Sequence, residues 1–432
     1  MTTAAIDGQV QERLLGGISS AFRINPFTGG HLEVRRAHGA QLEATDGTTY
    51  IDMFMAHGTS VVGHAHPAVM AAIRDSVNDG VVIGYETGLG EVVATRLGEI
   101  IPSAEAVRFV ASGSEAVSTV LRLARAHTSR DIVIKIDGHF NGGSDYAMIN
   151  SLVAYSDAAN PGGRPSRPIH SSGGIPRVVD ETIVPVPWND LPALQAALDE
   201  HAGQVAAVIM VPIDFNNGCL EPAEGYLAAA RDLAHDAGAL LVFDEVLSGF
   251  KTGLGGAQAL YGVTPDLTTL SKALSSGVPL SAIVGRREVM ATLLKPPSEG
   301  GAIQGGTFAG NIIGLAAANA TLDVISEPRF YPDLLGRAER FYAELQGVLD
   351  RSPLAARVQW AGAMFTIYVG TREPVSSLAE LRALDPDLRR RFFAGCIDRG
   401  VYFHTDFSVS SAHTDELLAE VLERIEDAAA AA

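Results

Sequence analysis

The chain has 432 residues, 47% of them hydrophobic, and its 50 acidic against 32 basic side chains give a formal net charge of −18 at pH 7. This hydrophobic content supports a large buried core and excludes a disordered or fibrous chain. The negative charge disfavours phosphate-rich partners, so we expect a small-molecule partner and neither nucleic acid nor an anionic membrane.

Cysteine content and the chain start bear on the compartment. Cys219 and Cys396 are the only cysteines, too few for a disulfide framework or a cysteine-rich zinc site. Residues 1–17 lack a basic start followed by an apolar run, and no later stretch has the apolar length of a membrane span. The sequence therefore predicts a soluble cytoplasmic protein.

The predicted elements begin with a hairpin in residues 39–54, turning at Asp46-Gly47. In the middle of the chain, β-type runs alternate with helical stretches; these runs are 107–111, 132–136, 205–211 and 239–243. Such alternation predicts a largely parallel sheet with helices on both faces. After residue 312 come long helical segments, so we expect both chain ends to form a smaller domain. The predicted boundaries are 1–65 for its N-terminal part, 66–312 for the large domain and 313–432 for its C-terminal part.

Charged residues closely follow two of the predicted strands. The run 239–243 leads into Asp244 and Glu245, and Lys272 comes just past another short strand. The carboxyl ends of neighbouring parallel strands meet at the crevice where open α/β sheets bind ligands, so acid and amine are expected to share a pocket. A buried ion pair or two separately solvated ends would also account for them.

A third feature is the tripeptide Ser112-Gly113-Ser114 between a strand and an amphipathic helix. Its N–H groups and hydroxyls would stabilise a phosphate, although Ser114 with Glu115 also suits an ordinary helix start. Phosphate cradle, crevice acid and crevice lysine together match the needs of pyridoxal phosphate, whose phosphate is bound, whose ring nitrogen stays protonated and whose aldehyde forms a Schiff base. The sequence therefore predicts this cofactor.

The same region carries the longest family-like block, "LLVFDEVLSGFKTGLGGAQALYGVTPDLTTLSKALSSGVPLSAIVGRREVM". Over nearly its whole length the chain resembles the class III aminotransferases of the fold type I pyridoxal phosphate enzymes, and within them glutamate-1-semialdehyde 2,1-aminomutase and its aminotransferase relatives. The resemblance implies an α/β fold, with a large domain built on a mostly parallel sheet between helices and a smaller α+β domain formed by both chain ends.

The resemblance implies roles for the residues just described. Lys272 would form the Schiff base with the cofactor, Asp244 would pair with the pyridine nitrogen, and Val246 would pack on one face of the ring. Gly113 and Ser114, in "SGSEA", align with the phosphate-binding "SGTEA" of the family. Chemically, an anionic acid keeps the ring an electron acceptor, and a free lysine amine is a suitable base for moving the substrate proton.

Further cofactor residues follow by motif. In "DGHFNGGSD", Phe140 would stack on the ring where the family usually has tyrosine, and Asn141 stands in place of histidine. Phe140 as an ordinary core residue is the alternative. In "IDFNNGCLEP", Asn216 matches the residue that approaches the ring oxygen, whereas Val211 replaces the usual glutamate before proline. In "QGGTFAGN", Thr307 would bind the phosphate of a neighbouring subunit's cofactor, which implies a homodimer with shared active sites.

Substrate residues are also implied by the resemblance. "GGISSAFR" aligns with the aminomutase "GGVNSPVR", which makes Arg23 the candidate for gripping a substrate carboxylate, with Ser20 as a companion. A structural salt bridge is the alternative for Arg23. His57 replaces an aromatic residue that walls the aminomutase pocket, and it would contact substrate or fill space. His64 and His66 belong to a family turn that binds no metal, so no metal is expected.

The departures from the aminomutase pattern favour an aminotransferase. They comprise Phe140, Asn141, Val211, His57, the "SSGVP" run after the lysine, and the segment "GVYFHTDFSVSSAHTDE", which is shorter than its aminomutase counterpart and lacks the acid found there. We therefore expect an amino acid donor to pass its amine, through Lys272 and a pyridoxamine phosphate form, to a keto or aldehyde acceptor that bears a carboxylate. The alternatives are the aminomutase itself, a related isomerase or racemase, and a non-catalytic binding protein.

Overall fold

The computed structural model describes residues 13–78, 80–152, 154, 156 and 163–432. Across these residues the strands form one sheet of seven strands, one of four and one of three. Along the segment from Ser156 to Pro176, residues 157–162 lie outside the description, and residues 163–176 follow an irregular path.

The N-terminal part of the chain forms an antiparallel meander. Its strands are β1 (Val34–His38), β2 (Gln41–Ala44) and β3 (Thr49–Asp52). The expected turn joins β2 to β3: Gly47 takes a φ of +90°, and the Asp46 carboxylate accepts the Thr48 amide hydrogen at 2.8 Å. The predicted hairpin is therefore confirmed.

The large sheet occupies the middle of the chain. Its strands are β4 (Ala106–Val110), β5 (Ile132–Ile136), β6 (Ile183–Val186), β7 (Val205–Met210), β8 (Leu240–Glu245), β9 (Leu267–Leu270) and β10 (Ser281–Gly285). The spatial order is β4-β10-β9-β8-β7-β5-β6, in which only β10 runs antiparallel to its neighbours. The residues of β5, β7, β8 and β9 are buried throughout, as expected of strands covered on both faces.

Helices cover both faces of this sheet and pack together at the chain ends. They are α1 (Pro67–Ser76), α2 (Gly88–Ile100), α3 (Gly113–Thr128), α4 (Leu191–Glu200), α5 (Tyr226–Asp236), α6 (Gly256–Tyr261), α7 (Arg287–Met290), α8 (Ile312–Ile325), α9 (Phe330–Arg351), α10 (Leu378–Ala383), α11 (Pro386–Asp398) and α12 (Asp415–Ala431). Within the described part of the chain, no helix has the length and apolarity needed to cross a membrane.

The C-terminal part returns to the N-terminal one. Its strands are β11 (Ala356–Ala361), β12 (Met364–Val369), β13 (Val401–Tyr402) and β14 (Phe407–Ser408). Strand β13 pairs in parallel with β3, so residues 350 positions apart in the chain, Ile51 and Val401, are neighbours in one sheet. This pairing joins the two chain ends into the smaller α+β part, and the boundaries placed after residues 65 and 312 stay predictions.

Candidate active site

A cavity of about 210 Å³ lies where β8 and β9 end. Its lining includes every predicted cofactor residue except Thr307: Gly113, Ser114, Phe140, Asn216, Asp244, Val246 and Lys272. Strands β8 and β9 are parallel neighbours, and this pairing brings the acid and the amine from separate chain segments to one place. The structure thus assembles residues that the sequence suggested separately, and their roles stay predictions.

Asp244 is the buried anionic group of this cavity. Its Oδ2 accepts a hydrogen bond from the Asn141 amide at 2.9 Å, and its Oδ1 accepts from the Thr269 hydroxyl at 2.9 Å and from the Val246 amide at 3.1 Å. Burial raises the pKa of Asp244, whereas these hydrogen bonds and the positive charge of Lys272 oppose the rise. The carboxylate is therefore held in one orientation with its charge partly compensated.

The two acids that end β8 have different surroundings. Asp244 lines the cavity, but Glu245 does not. The carboxylate of Glu245 accepts from the Ala257 amide at 2.7 Å and from the Gln258 side chain at 3.0 Å. Because successive strand residues point to opposite faces, only one acid of this pair can serve the site, and Glu245 instead anchors the start of α6.

Lys272 follows β9 at the edge of the cavity. It adopts a left-handed φ of +46°, which strains a residue with a side chain, and Ser276 and Gly277 continue the tight path with φ values of +48° and +101°. Desolvation lowers the pKa of the Lys272 amine, although Asp406 and Asp244 oppose this effect. The amine is thus biased toward the uncharged form that accepts protons.

A turn rich in small residues closes one end of the cavity. Ser112 caps α3 by accepting the Glu115 amide hydrogen at 3.3 Å, and the Ser114 hydroxyl accepts from the Gly143 amide at 3.1 Å. Gly142 has a φ of +91°, and a Cβ there would come within 2.9 Å of Ser114. Backbone and hydroxyl groups at the positive end of α3 therefore face the cavity with no side chain in the way.

The C-terminal segment brings an acid of its own, Asp406, beside the site. Asp406, just before β14, is fully buried, and its Oδ2 lies 2.7 Å from His57 Nδ1. Burial works against ionisation, but the hydrogen bond and charge of His57, together with Lys272, lower the pKa of Asp406 below its usual range. Its Oδ1 also accepts a long hydrogen bond from Asn216 at 3.4 Å. A fixed negative charge therefore faces the lysine.

His57 is presented by a strained turn. Three successive residues, Met55, Ala56 and His57, have left-handed φ values of +48°, +54° and +58°. Side chains rarely adopt this conformation, and such strain is typical of functional positions. The His57 ring packs edge-on against Phe54 and His404, so it is fixed from two sides while Asp406 holds its Nδ1.

A second cavity, of about 380 Å³, is lined by one of the predicted substrate residues. Arg23 lines this cavity with Phe54 and His404, and its side chain is exposed. Phe22, next to Arg23, contacts Phe140 with ring centroids 5.6 Å apart, which joins the two cavities. Arg23 is therefore near the cofactor cavity without lining it.

Three predicted residues, Ser20, His57 and Thr307, line neither cavity. The Ser20 hydroxyl accepts the Phe22 amide hydrogen at 3.3 Å and caps a short helical turn at Ala21–Arg23. Thr307 is exposed and lies outside the cofactor cavity of its own chain. Contact between Thr307 and the cofactor of a partner subunit stays a prediction.

This arrangement defines a class of protein, the fold type I enzymes that use pyridoxal phosphate. The fit rests on observed features: a buried carboxylate for the ring nitrogen, a lysine amine on the neighbouring strand end, and a side-chain-free turn at Gly142 beside a helix N-terminus for the phosphate.

Comparison with known proteins gives the same class. The model of the family described as "Aminotransferase class-III" matches residues 26–428. A glutamate-1-semialdehyde 2,1-aminomutase of Neisseria meningitidis is 34% identical over 412 residues, covering 94% of this chain and 93% of that protein. The Polynucleobacter necessarius aminomutase is 35% identical over 429 residues, covering 97% and 96%.

Solved structures agree with the sequence comparison. An omega-transaminase from Sphaerobacter thermophilus superposes with a TM-score of 0.88 at 25% identity, covering 99% of this chain and 97% of that one. A glutamate-1-semialdehyde aminomutase from Pseudomonas aeruginosa gives 0.85 at 25% identity, covering 98% and 93%. The chain belongs to the class III aminotransferase family, its fold is the expected one, and its cofactor is pyridoxal phosphate.

Sequence reasoning missed several site residues. Asp406 escaped because the acid stands in a short "HTDF" stretch between two very short strands, where no periodicity marks a strand end. Thr269 was overlooked because it lies inside β9. The alternation of side chains along that strand could have placed it next to the site. His404, which stacks on Phe54 with ring centroids 4.6 Å apart, gave no motif signal.

Proposed function

We propose that this protein relocates an amino group on carboxylate-bearing amino and carbonyl compounds, either within one molecule or between two. The observation that carries this proposal is the shared cavity in which Lys272 and Asp244 end neighbouring strands beside the Ser112–Ser114 turn. Bound pyridoxal phosphate supplies the electron sink that makes the substrate C–H bond acidic. The protein's task is to position both reactants and to move the proton.

Lys272 is the residue proposed to carry that proton. Its Nζ would accept the proton from the substrate carbon and deliver it to the second carbon, because burial lowers the pKa of this amine toward the range useful for a base. Asp244 would hold a proton on the ring nitrogen through its oriented carboxylate. Phe140 and Val246 would confine the ring between them and exclude water from its faces.

The amine could stay within one molecule or pass between two, and we place the intramolecular shift first. The curated relatives that match nearly the whole chain are named as aminomutases. Asp406 supports the same choice: a buried anion facing Lys272 would stabilise the second ammonium group of a diamine, and an intramolecular shift requires such a molecule to stay bound.

Transfer between two molecules is the second candidate. It is favoured by the high structural similarity to an omega-transaminase and by the departures at Phe140, Val211 and His57. Val211 does line the cavity, so the loss of a glutamate there changes its polarity. In either reaction Arg23 would bind the substrate carboxylate at the mouth of the cavity.

Assembly and location follow as further parts of the proposal. We propose a homodimer with shared sites, because Thr307 is exposed among exposed apolar neighbours, Ile303 and Phe308, which are 65% and 58% exposed. Such side chains are more stable when covered. A cytoplasmic location is proposed from the composition of the chain and from its two buried, unpaired cysteines.

Tracing the nitrogen separates the two reactions. Holoenzyme is incubated with ¹⁵N-labelled glutamate-1-semialdehyde over many turnovers, with or without unlabelled β-alanine as a competing donor. The intramolecular shift predicts ¹⁵N in the isomer aminated at the terminal carbon, undiluted by β-alanine. Transfer between molecules predicts dilution of the label and formation of a carbonyl product from β-alanine. Absence of both products with these substrates, and with a panel of amino donors and keto acceptors, would contradict the proposal.

A further inference from the structure

A third cavity, of about 290 Å³, adjoins the cofactor cavity at Asn216. We call it the α11 cavity, because Arg389 of α11 lines it together with Arg382, Asp385, Thr366 and Asn216. Asn216 also lines the cofactor cavity and is the residue shared by the two. Apart from Asn216, the residues that line the α11 cavity do not line the cofactor cavity.

Among the described residues, Arg389 has no anionic partner. Its guanidinium lies over the rings of Phe27 and Phe393, with centroids 5.1 Å and 5.6 Å away. Across the described residues, its side chain makes no hydrogen bond and no ion pair. A guanidinium has five N–H donors in a rigid fork, so leaving them unpaired in a partly buried position is costly.

The acid that shares the cavity with Arg389 does not satisfy it. Asp385 lies one helical turn earlier and lines the same cavity, but its carboxylate caps α11 by accepting the amide hydrogens of Asp387 and Leu388 at 2.8 Å and 3.1 Å. The two aromatic rings fix the guanidinium by cation–π contact in place of a salt bridge. The fork is therefore held in position with its donors available.

Thr366 and Arg382 are two further polar residues of the cavity. Thr366 on β12 is buried, yet its hydroxyl makes no hydrogen bond within the described part of the chain. Arg382 adds a second positive charge and donates one hydrogen bond to the Ser156 carbonyl at 3.3 Å. Two guanidinium groups against the single carboxylate of Asp385 leave the lining one positive charge in excess.

We propose that the α11 cavity binds the carboxylate of a small organic acid. The Arg389 fork would donate two parallel hydrogen bonds to the carboxylate, and Thr366 would donate a third. One excess positive charge matches one carboxylate. The volume is at the lower end for a ligand pocket, which favours a short acid. This site stands independently of the proposed reaction, and the acid is either the distal end of a substrate that reaches past Asn216 or a separate molecule.

Isothermal titration calorimetry with succinate, which carries neither amine nor carbonyl, tests the site in the holoenzyme. We expect the wild type to bind succinate and Arg389→Met to bind it at least about tenfold more weakly, the loss of a charge-assisted pair. Arg390→Met is the matched control, since Arg390 is next to Arg389 on α11 but pairs with Asp387 at 3.6 Å and does not line the cavity.

The control outcomes are distinct. No binding by the wild type, or equal binding by wild type and Arg389→Met, would overturn the proposal, as would loss of binding in Arg23→Gln with none in Arg389→Met. Should Arg389→Met fail to fold, Arg389→Lys keeps the charge but loses the fork, and Thr366→Val removes the hydroxyl; both are expected to weaken binding. If succinate raises KM for the amino substrate without changing kcat, the cavity holds the substrate's own carboxylate; any other kinetic effect assigns it to a separate acid.

Discussion

The floor of the active site and its substrate side are built in opposite ways. The floor comes from consecutive strand ends in one sheet: Asp244, Thr269 and Lys272 lie on β8, on β9 and just beyond it. The substrate side comes from distant segments, with His57 from the N-terminal part and Asp406 from the C-terminal part, 349 positions apart, meeting at 2.7 Å.

This difference teaches where chemistry and specificity reside in the chain. Parallel strands fix the spacing of the groups of the floor that the cofactor needs. The substrate side depends on how the two chain ends pack, so individual residues can change without altering the floor. Substitutions on the floor should abolish chemistry, and those on the substrate side should change its selectivity.

The largest loss is expected when the amine of the floor is removed. Lys272→Ala should lower kcat/KM for the amino substrate by about 10⁴-fold or more, since it removes the amine proposed to move the substrate proton. Steady-state kinetics on the holoenzyme checks this. Lys295→Ala, at an exposed lysine, should leave the rate unchanged. A Lys272→Ala enzyme that keeps a tenth of wild-type activity would contradict the account.

The second largest loss is expected at the acid of the floor. Asp244→Asn keeps the shape but removes the charge, so kcat should fall by about 10³-fold through loss of the electrostatic support for the ring. Thr269→Val, which removes one hydrogen bond at 2.9 Å to the same carboxylate, should cost far less. Equal rates for Asp244→Asn and wild type would show that the ring is held by other groups.

A substitution on the substrate side should change the selectivity between substrates more than the overall rate. Asp406→Asn removes the anion that faces Lys272, and we expect kcat/KM for a substrate with two amine positions to fall about tenfold more than for a simple donor. Rates measured with both substrate types give this ratio. Asp398→Asn, at an exposed acid, serves as the control. An unchanged ratio would remove the main structural support for the intramolecular shift.

Substitutions in the glycine turn at residues 142–143 test how closely this turn packs against Ser114 at the boundary of the floor. Gly142→Ala places a Cβ 2.9 Å from Ser114 at a φ of +91°, so it should lower the free energy of unfolding by about 1–3 kcal/mol and weaken cofactor binding. Gly143→Ala is matched, because its Cβ would be an ordinary 3.9 Å from Ser114 Oγ. Urea unfolding and cofactor titration of both variants check this. Equal losses of stability and of cofactor affinity in the two variants would contradict the proposed phosphate cradle.

The smallest expected effect is a pH dependence on the substrate side. Burial lowers the pKa of His404 to about 4, below the ordinary histidine value of about 6.5, so the unfolded chain binds this proton first as the pH falls. The stability contributed by a neutral His404 is therefore full above pH 6.5 and declines toward pH 4. The His404→Phe variant lacks this titrating group. Between pH 7.5 and pH 5 its free energy of unfolding should therefore fall by on the order of 1 kcal/mol less than that of the wild type. Urea unfolding of the wild type and the variant at both pH values measures this difference. An equal fall in unfolding free energy in the two proteins would contradict the lowered pKa of His404.

The sequence anticipated the floor more fully than the substrate side. Asp244 and Lys272 could be placed because each follows a predicted strand closely, and the ends of neighbouring parallel strands meet at one crevice. The contact between His57 and Asp406 could not be predicted from the sequence. It depends on the parallel pairing of β3 with β13, and no local sequence pattern indicates that pairing. The strained turn at residues 55–57 is likewise a product of tertiary packing that overrides local preference.

The most direct test of the central claim is to find which lysine binds the cofactor. The chain has four lysines: Lys135, Lys251, Lys272 and Lys295. Lys251 is the sharpest competitor, because its buried amine makes no hydrogen bond within the described residues and burial lowers its pKa to about 7.

Borohydride reduction of the holoenzyme, followed by tryptic mass mapping, fixes the cofactor to its lysine and blocks cleavage there. We predict the label in a peptide from Thr252 to Arg286 that retains an uncleaved Lys272. Label in a peptide from Asp232 to Lys272, uncleaved at Lys251, would contradict the account, as would the absence of any labelled lysine in protein saturated with the cofactor.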